Sequence, residues 1–199
     1  MTRTSLPLAG ALATALLLVS APGAQAAVTA KDAPSQADIV KSFPELADGQ
    51  FSTDKAKQIA VPGKTCGAPT TKKAKSGVTT TGVSSTGTSI VVAGVAEVKS
   101  AKQAKTYFAS YKKYVKKCGS FTEPTTGATV TATLTKAPKL GQASLAITQE
   151  TAIAGVTSYS TSILILNGKR VGTVAAVADA PVAMSSVKKL AKVAAKKMR

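Results

Sequence analysis

Apolar residues recur along this chain with two different periods, and the change from one to the other marks its elements. Across Ala101–Lys117 the period is helical: Ala104, Tyr107 and Phe108, Tyr111, Val115 and Cys118 fall on one stripe. Lys102, Lys105, Lys112, Lys113, Lys116 and Lys117 occupy most of the remaining surface. Ser100 supplies an N-cap, and the late lysines complement the helix dipole. A second stripe, Val187, Leu190, Ala191, Ala194 and Met198, predicts a helix over Val182–Met198. Lys188, Lys189, Lys192, Lys196 and Lys197 oppose it. A shorter helix is expected over Gln36–Phe43, capped by Ser35, with Ile39, Val40 and Phe43 turned inward and Pro44 ending it.

Between these helices the texture turns to Thr, Val, Ser and Gly, and the period to two. Val78–Ser85 and Thr88–Val98 read as neighbouring strands around Thr86-Gly87. Gly127–Thr135 alternates cleanly, with Val130, Ala132 and Leu134 on one face, and Ala143–Gln149 follows. Val156–Leu166 and Arg170–Val177 are joined by Asn167-Gly168, a strong hairpin signal that pairs Leu166 with Lys169 and Leu164 with Val171. Leu164 and Val171 then share one face, and Tyr159, Ile163 and Val174 the other, so neither face is plainly a solvent face. Ser52–Ile59 is expected to add a helical turn or two, 61–76 to be loop, and 27–34 a flexible leader. This order is not an alternating βαβ pattern. It predicts an α+β domain over 35–199: an antiparallel sheet of about six strands with helices packed on one face.

The first 26 residues change the compartment in which all of this is read. Arg3 lies in a short leading segment, Ala9–Val19 is apolar but too short to span a bilayer, and Ala24-Gln25-Ala26 has the spacing of a cleavage site. The competing reading is a buried N-terminal helix. A signal peptide ending at Ala26 predicts a secreted mature chain. In that oxidising setting the two cysteines, Cys66 and Cys118, are expected to form a disulfide. Closing a loop of roughly fifty residues is worth on the order of 3–4 kcal/mol. Metal binding is not expected, because the chain has no His and no CxxC.

Charge narrows the partners. The formal net charge is +17, and apart from Arg3 only Arg170 and Arg199 are not lysine. Lysine is a hydrated point charge without the planar fork that reads phosphates and bases, and aromatic stacking residues are scarce. Nucleic acid is therefore disfavoured against anionic cell-wall polymers or lipid headgroups, with solubility alone as the competing explanation. Catalytic chemistry is equally thin. No His is present, the nine carboxylates are scattered (Asp48 and Asp54 are the nearest to a pair), and no phosphate-binding glycine loop occurs. Glu97 and Glu150 lie in or at the ends of strands. No cofactor is implied, and the chain reads as non-enzymatic. The two-sided apolar hairpin suggests instead a half-open groove against the sheet, with Tyr107, Tyr111, Tyr159 and Ile163 as candidate lining. The competing reading has the N-terminal segment covering that face.

The order of features also resembles a known family. A short N-terminal helical segment precedes a loop cysteine, Cys66; two strands follow, then the helix AKQAKTYFASYKKYVKKCG ending at Cys118, the stretch PKLGQASLAI over Pro138–Ile147, and a hairpin running into a C-terminal helix. This resembles the extracellular sensor domain of actinobacterial serine/threonine kinases of the PknH type and related stand-alone secreted proteins, over about Ser35–Lys197. The resemblance implies an antiparallel sheet with packed helices, a large cleft for an unidentified ligand, and a Cys66–Cys118 bridge corresponding to one of the family's disulfides. It supplies no catalytic residues. The chain departs from the family in lacking its second disulfide, a kinase domain and a membrane span. The expected function is a secreted binding domain holding a small or amphiphilic ligand in a groove against the sheet. The alternative is a lysine-rich binder of anionic cell-wall polymer or lipid headgroups without a pocket, gripping through Lys112, Lys113, Lys116, Lys117, Lys188, Lys189, Lys192, Lys196 and Lys197. A secreted inhibitor is disfavoured, because no rigid, disulfide-flanked reactive loop is evident.

Overall fold

The computed structural model describes residues 28–198, so the expected signal peptide and Arg199 lie outside the described residues. Helix α1 (Gln36–Ser42) opens with a capping box: the Ser35 hydroxyl accepts from the Asp38 N–H, and the Asp38 carboxylate accepts from the Ser35 N–H at 2.8 Å. Ten strands and two further helices follow. They are β1 (Gln50–Lys55), β2 (Gln58–Pro62), β3 (Pro69–Lys73), β4 (Ser76–Val83), β5 (Ser89–Glu97), α2 (Ala101–Lys117), β6 (Ser120–Thr122), β7 (Thr129–Thr135), β8 (Ala143–Ile153), β9 (Val156–Asn167), β10 (Arg170–Ala178) and α3 (Met184–Lys197). Eight strands form one antiparallel sheet in the order β1-β4-β5-β10-β9-β8-β7-β6, and β2 and β3 make a separate hairpin.

The sheet is thus larger than the six strands expected. The additional strands lack an apolar rhythm because they sit where little is buried. In β1 only Phe51 is not fully exposed, and it lies across Gly82 of the neighbouring strand. Strand β3 is exposed throughout, and β6 is three residues long. Residues 52–59, expected to be helical, divide between β1 and β2, and the expected loop over 61–76 contains the β2–β3 turn.

Helices cover both faces of the sheet, not one. On the first face α1 and α3 pack over Ile163, Ile165, Val174, Ala176, Val91, Ala93 and Val95. On the second face α2 and β2 pack over Leu164, Leu166, Val171, Ala96, Leu145 and Ile147. The central hairpin is apolar on both sides, so either side left bare would expose a row of aliphatic side chains. Gly172 lets the end of α3 come down on the first face, since a Cβ there would meet the Met198 sulfur.

The β9–β10 register differs from expectation by two residues. Asn167 pairs with Arg170 and Leu164 with Thr173, so Gly168 and Lys169 form the loop, with Gly168 at φ +59°. Asn167 is held in place by donating from Nδ2 to the Met198 carbonyl (3.2 Å), while Gln142 accepts from the Gly168 N–H (3.1 Å). A two-residue slip keeps every side chain on its expected face.

The expected flexible leader is docked over residues 28–34. Val28 and Ala33 are buried, and residues 30–32 form a short 3-10 turn. Asp32 accepts from Arg170 at 2.8 Å, and Ser76 Oγ accepts from the Val28 N–H. Burial pushes the Asp32 carboxyl up, but hydrogen bonds from the Thr29 N–H and hydroxyl, together with Arg170, outweigh it and hold the group below its ordinary value. A lowered folded value means stabilisation that is complete above the unfolded carboxylate range, about pH 4, and lost as pH falls through the folded value. Residues 28–34 are therefore expected to release in acid before the sheet unfolds. The Val28 amide resonance, followed by NMR from pH 6 downward, checks this. A Val28 signal that moves only with global unfolding would mean that apolar packing alone holds the segment.

Candidate functional site

Beyond the reach of α3, the first face of the sheet continues across β9, β8 and β7 with a different surface. The register sets Thr131, Glu150 and Tyr159 in one row across the three strands, and Thr133, Thr148 and Thr161 in the next. Pro181 and Val182, entering α3, rise beside them as a wall, and the Thr161 hydroxyl reaches the Val182 carbonyl at 3.5 Å. These residues enclose an open groove of about 220 Å³. Threonine side chains, each with a methyl and a hydroxyl, make up much of its floor. Glu150 is exposed and belongs to none of the ion pairs among the described residues, whereas Glu97 is tied to Arg170 and Lys75.

The four expected lining residues do not meet. Tyr159 lines this groove, while Ile163, further along β9, is buried beneath α3. Tyr107 and Tyr111 lie on the opposite face. Tyr111 is buried and donates its hydroxyl to the Ala60 carbonyl at 2.5 Å; burial alone pushes its ionisation far above the ordinary tyrosine value. The Tyr107 hydroxyl accepts from Gln103 Nε2 at 2.7 Å, beside an open depression at the start of α2. Tyr111 and Ile163 are thus core residues.

Cys66 and Cys118 form the expected disulfide. It fastens the β2–β3 turn to the end of α2, where the Gly67 N–H donates to the Tyr114 hydroxyl (2.8 Å) and Lys117 Nζ to the Lys64 carbonyl (3.1 Å). The lysines divide unequally between helices. Lys112, Lys113, Lys116 and Lys117 of α2 are exposed, as are Lys102 and Lys105. In α3, Lys192 and Lys196 are exposed, but Lys197 pairs with Asp38 at 3.3 Å, Lys189 donates to the Lys41 carbonyl, and Lys188 is half-buried.

The groove residues Thr131, Thr133, Thr148, Glu150 and Thr161 were not among the expected lining. The signal that could have found them is the threonine face of β7, Thr129, Thr131, Thr133 and Thr135, opposite Val130, Ala132 and Leu134. Among the described residues no group of three or more acidic, Cys or His side chains could hold a metal ion, and no helix is long and apolar enough to cross a membrane.

No protein-family model matches the sequence, and no curated protein does. A solved structure does match: the crystal structure of the extracellular domain of PknH from Mycobacterium tuberculosis. The TM-score is 0.58 over 88% of this chain and 98% of that one, at 11% sequence identity. The expected resemblance therefore holds at the level of architecture, and the chain has the fold of that extracellular domain.

Proposed function

We propose that this chain is a secreted, non-catalytic binding domain of the sensor type, holding a small ligand in the groove floored by β7, β8 and β9. The observation that carries the reading is the groove itself. Helix α3 packs on β9 at Ile163 and Ile165 but not over the row of Thr131, Glu150 and Tyr159, where a half-buried tyrosine stands among threonines against the Pro181–Val182 wall. The likeness of fold to an extracellular domain supports the location. The single carboxylate of the lining and the absence of histidine from the chain support binding without catalysis. Native mass spectrometry of the protein from its own culture supernatant tests this. An extra mass that disappears on denaturation is expected. A bare protein mass that stays bare after incubation with culture filtrate would count against the groove.

A second reading has its own observation. Residues 55–117 carry thirteen lysines against one carboxylate, Glu97, which is already paired. The only large hydrophobic residue exposed among the described ones is Val156, at the β8–β9 turn, so α2 offers a bilayer nothing to insert. That favours an anionic wall polymer over lipid headgroups as the partner of these lysines. Retention on isolated cell wall would then vanish in about 1 M salt, where the Debye length is about 3 Å.

A further inference from the structure

We propose that the ligand class of the β7–β9 groove is a neutral saccharide, an assignment that rests on the groove being the binding site. The register makes the floor a grid. Neighbouring strands lie about 4.8 Å apart and successive same-face residues about 6.8 Å apart, so Thr131, Thr133 and Thr148 present hydroxyls in two directions at once, while the buried Thr161 hydroxyl is held by the Val182 carbonyl. A hydroxyl both donates and accepts. The ligand that matches such a grid bears many hydroxyls of its own and no net charge.

Glu150 and Tyr159 sharpen the assignment. They face each other across β8 and β9, with Thr131 completing the row. An ionised carboxylate only accepts, and its two oxygens take charge-assisted hydrogen bonds from adjacent donors, as vicinal sugar hydroxyls supply. The Tyr159 ring offers a flat apolar face with a polar tip, which suits the C–H face of a sugar ring. Pro181 and Val182 give the opposing apolar side.

Other classes fit less well. A polyanion would meet Glu150 and no cation, since the lining holds no Lys or Arg. A quaternary amine is held by an aromatic cage, and here there is one ring. A lipid chain would lay hydrocarbon against the Glu150 carboxylate. The groove, at about 220 Å³, falls below the range of about 300–1,000 Å³ usual for drug-sized ligands, which suits one or two sugar rings in an open cleft.

The experiment is an NMR titration of the ¹⁵N-labelled secreted protein with maltotriose, cellotriose, mannotriose and chitotriose, and separately with tetramethylammonium chloride and octanoate. At least one oligosaccharide is expected to shift amides of β7–β9 saturably, with a Kd of about 1 mM. Tyr159→Ala and Glu150→Gln should each weaken it about tenfold. Tyr159→Phe, which keeps the ring, should lose less than Tyr159→Ala, and Thr129→Ala, outside the groove, should leave binding nearly unchanged. Both Glu150 and Thr129 are exposed, so these variants fold. The saccharide assignment is overturned if none of the four sugars moves these amides at about 20 mM, or if binding ignores both Tyr159→Ala and Glu150→Gln. Shifts at the same amides with tetramethylammonium or octanoate alone would overturn the ligand class while leaving the groove as a site. Silence from every probe, with a bare native mass, would overturn both.

Discussion

Replacing Cys66 and Cys118 by serine is expected to lower the unfolding free energy by about 4 kcal/mol. The bridge spans a sequence separation of 52 residues, and a cross-link over such a loop removes conformational freedom chiefly from the unfolded chain. Its loss would also be felt locally. The β2–β3 hairpin lies outside the main sheet and reaches α2 through the disulfide, the Tyr111 and Tyr114 hydroxyls and Lys117. Without the covalent link, three hydrogen bonds and the packing of Ile59 and Val61 must hold it. Urea unfolding of the double variant beside the oxidised protein measures the total, and hydrogen exchange at Gly67 and Ala68 measures the local share. A loss below about 1 kcal/mol would mean that the side-chain contacts already order this loop in the unbridged protein.

Leu190→Ala is expected to cost about 3–4 kcal/mol and to lower Tm by on the order of 10 °C. Leu190 is fully buried at the middle of α3, in the cluster that joins that helix to Ile39 and Phe43 of the N-terminal region and to Ile163 and Val174 of the sheet. Alanine is at least as good a helix former, so the change isolates packing. The site has little means of collapsing, because its floor is the paired centre of the sheet and α3 is anchored at its end by Met198 against Gly172 and by Asn167. Lys192→Ala, exposed two residues further along the helix, is the control and should stay within about 0.5 kcal/mol of the parent. Thermal unfolding of the two variants side by side checks the pair.

Where a side chain reports burial, the sequence could be read closely. The stripe through Ala104, Tyr111, Val115 and Cys118 becomes the buried side of α2, and the α3 stripe is buried residue for residue. Strands β4, β5, β9 and β10 fall within a few residues of expectation. Tyr114 was missed because its hydroxyl meets the Gly67 backbone, a contact made across the fold and not along the helix. The turn between β8 and β9 was missed for a local reason. Ala154 and Gly155 both take positive φ, and alanine does not advertise that conformation as asparagine would. The groove stayed hidden because its lining is threonine. Period-two alternation puts such residues outward, but it cannot say that another element rises beside them to make a cleft. Tyr159 was selected for its size and proved to be the one expected residue that reaches the groove.

The strand order carries a consequence for how this chain folds. Within the large sheet most partners are near in sequence: β1 with β4 across the β2–β3 hairpin, β4 with β5, and each of β6 to β9 with the next. The exception is β5 with β10, where Glu97 meets Arg170 and Ser89 meets Ala178. Two meanders can therefore form by short closures, and one slow long-range step must zip them together. Until β10 is in place one edge of β5 is bare, and a bare edge is a template for pairing with the wrong strand. Lysines flank β5 on either side, Lys72, Lys73 and Lys75 before it and Lys99, Lys102 and Lys105 after it, and like charge beside a bare edge disfavours its pairing with a second copy.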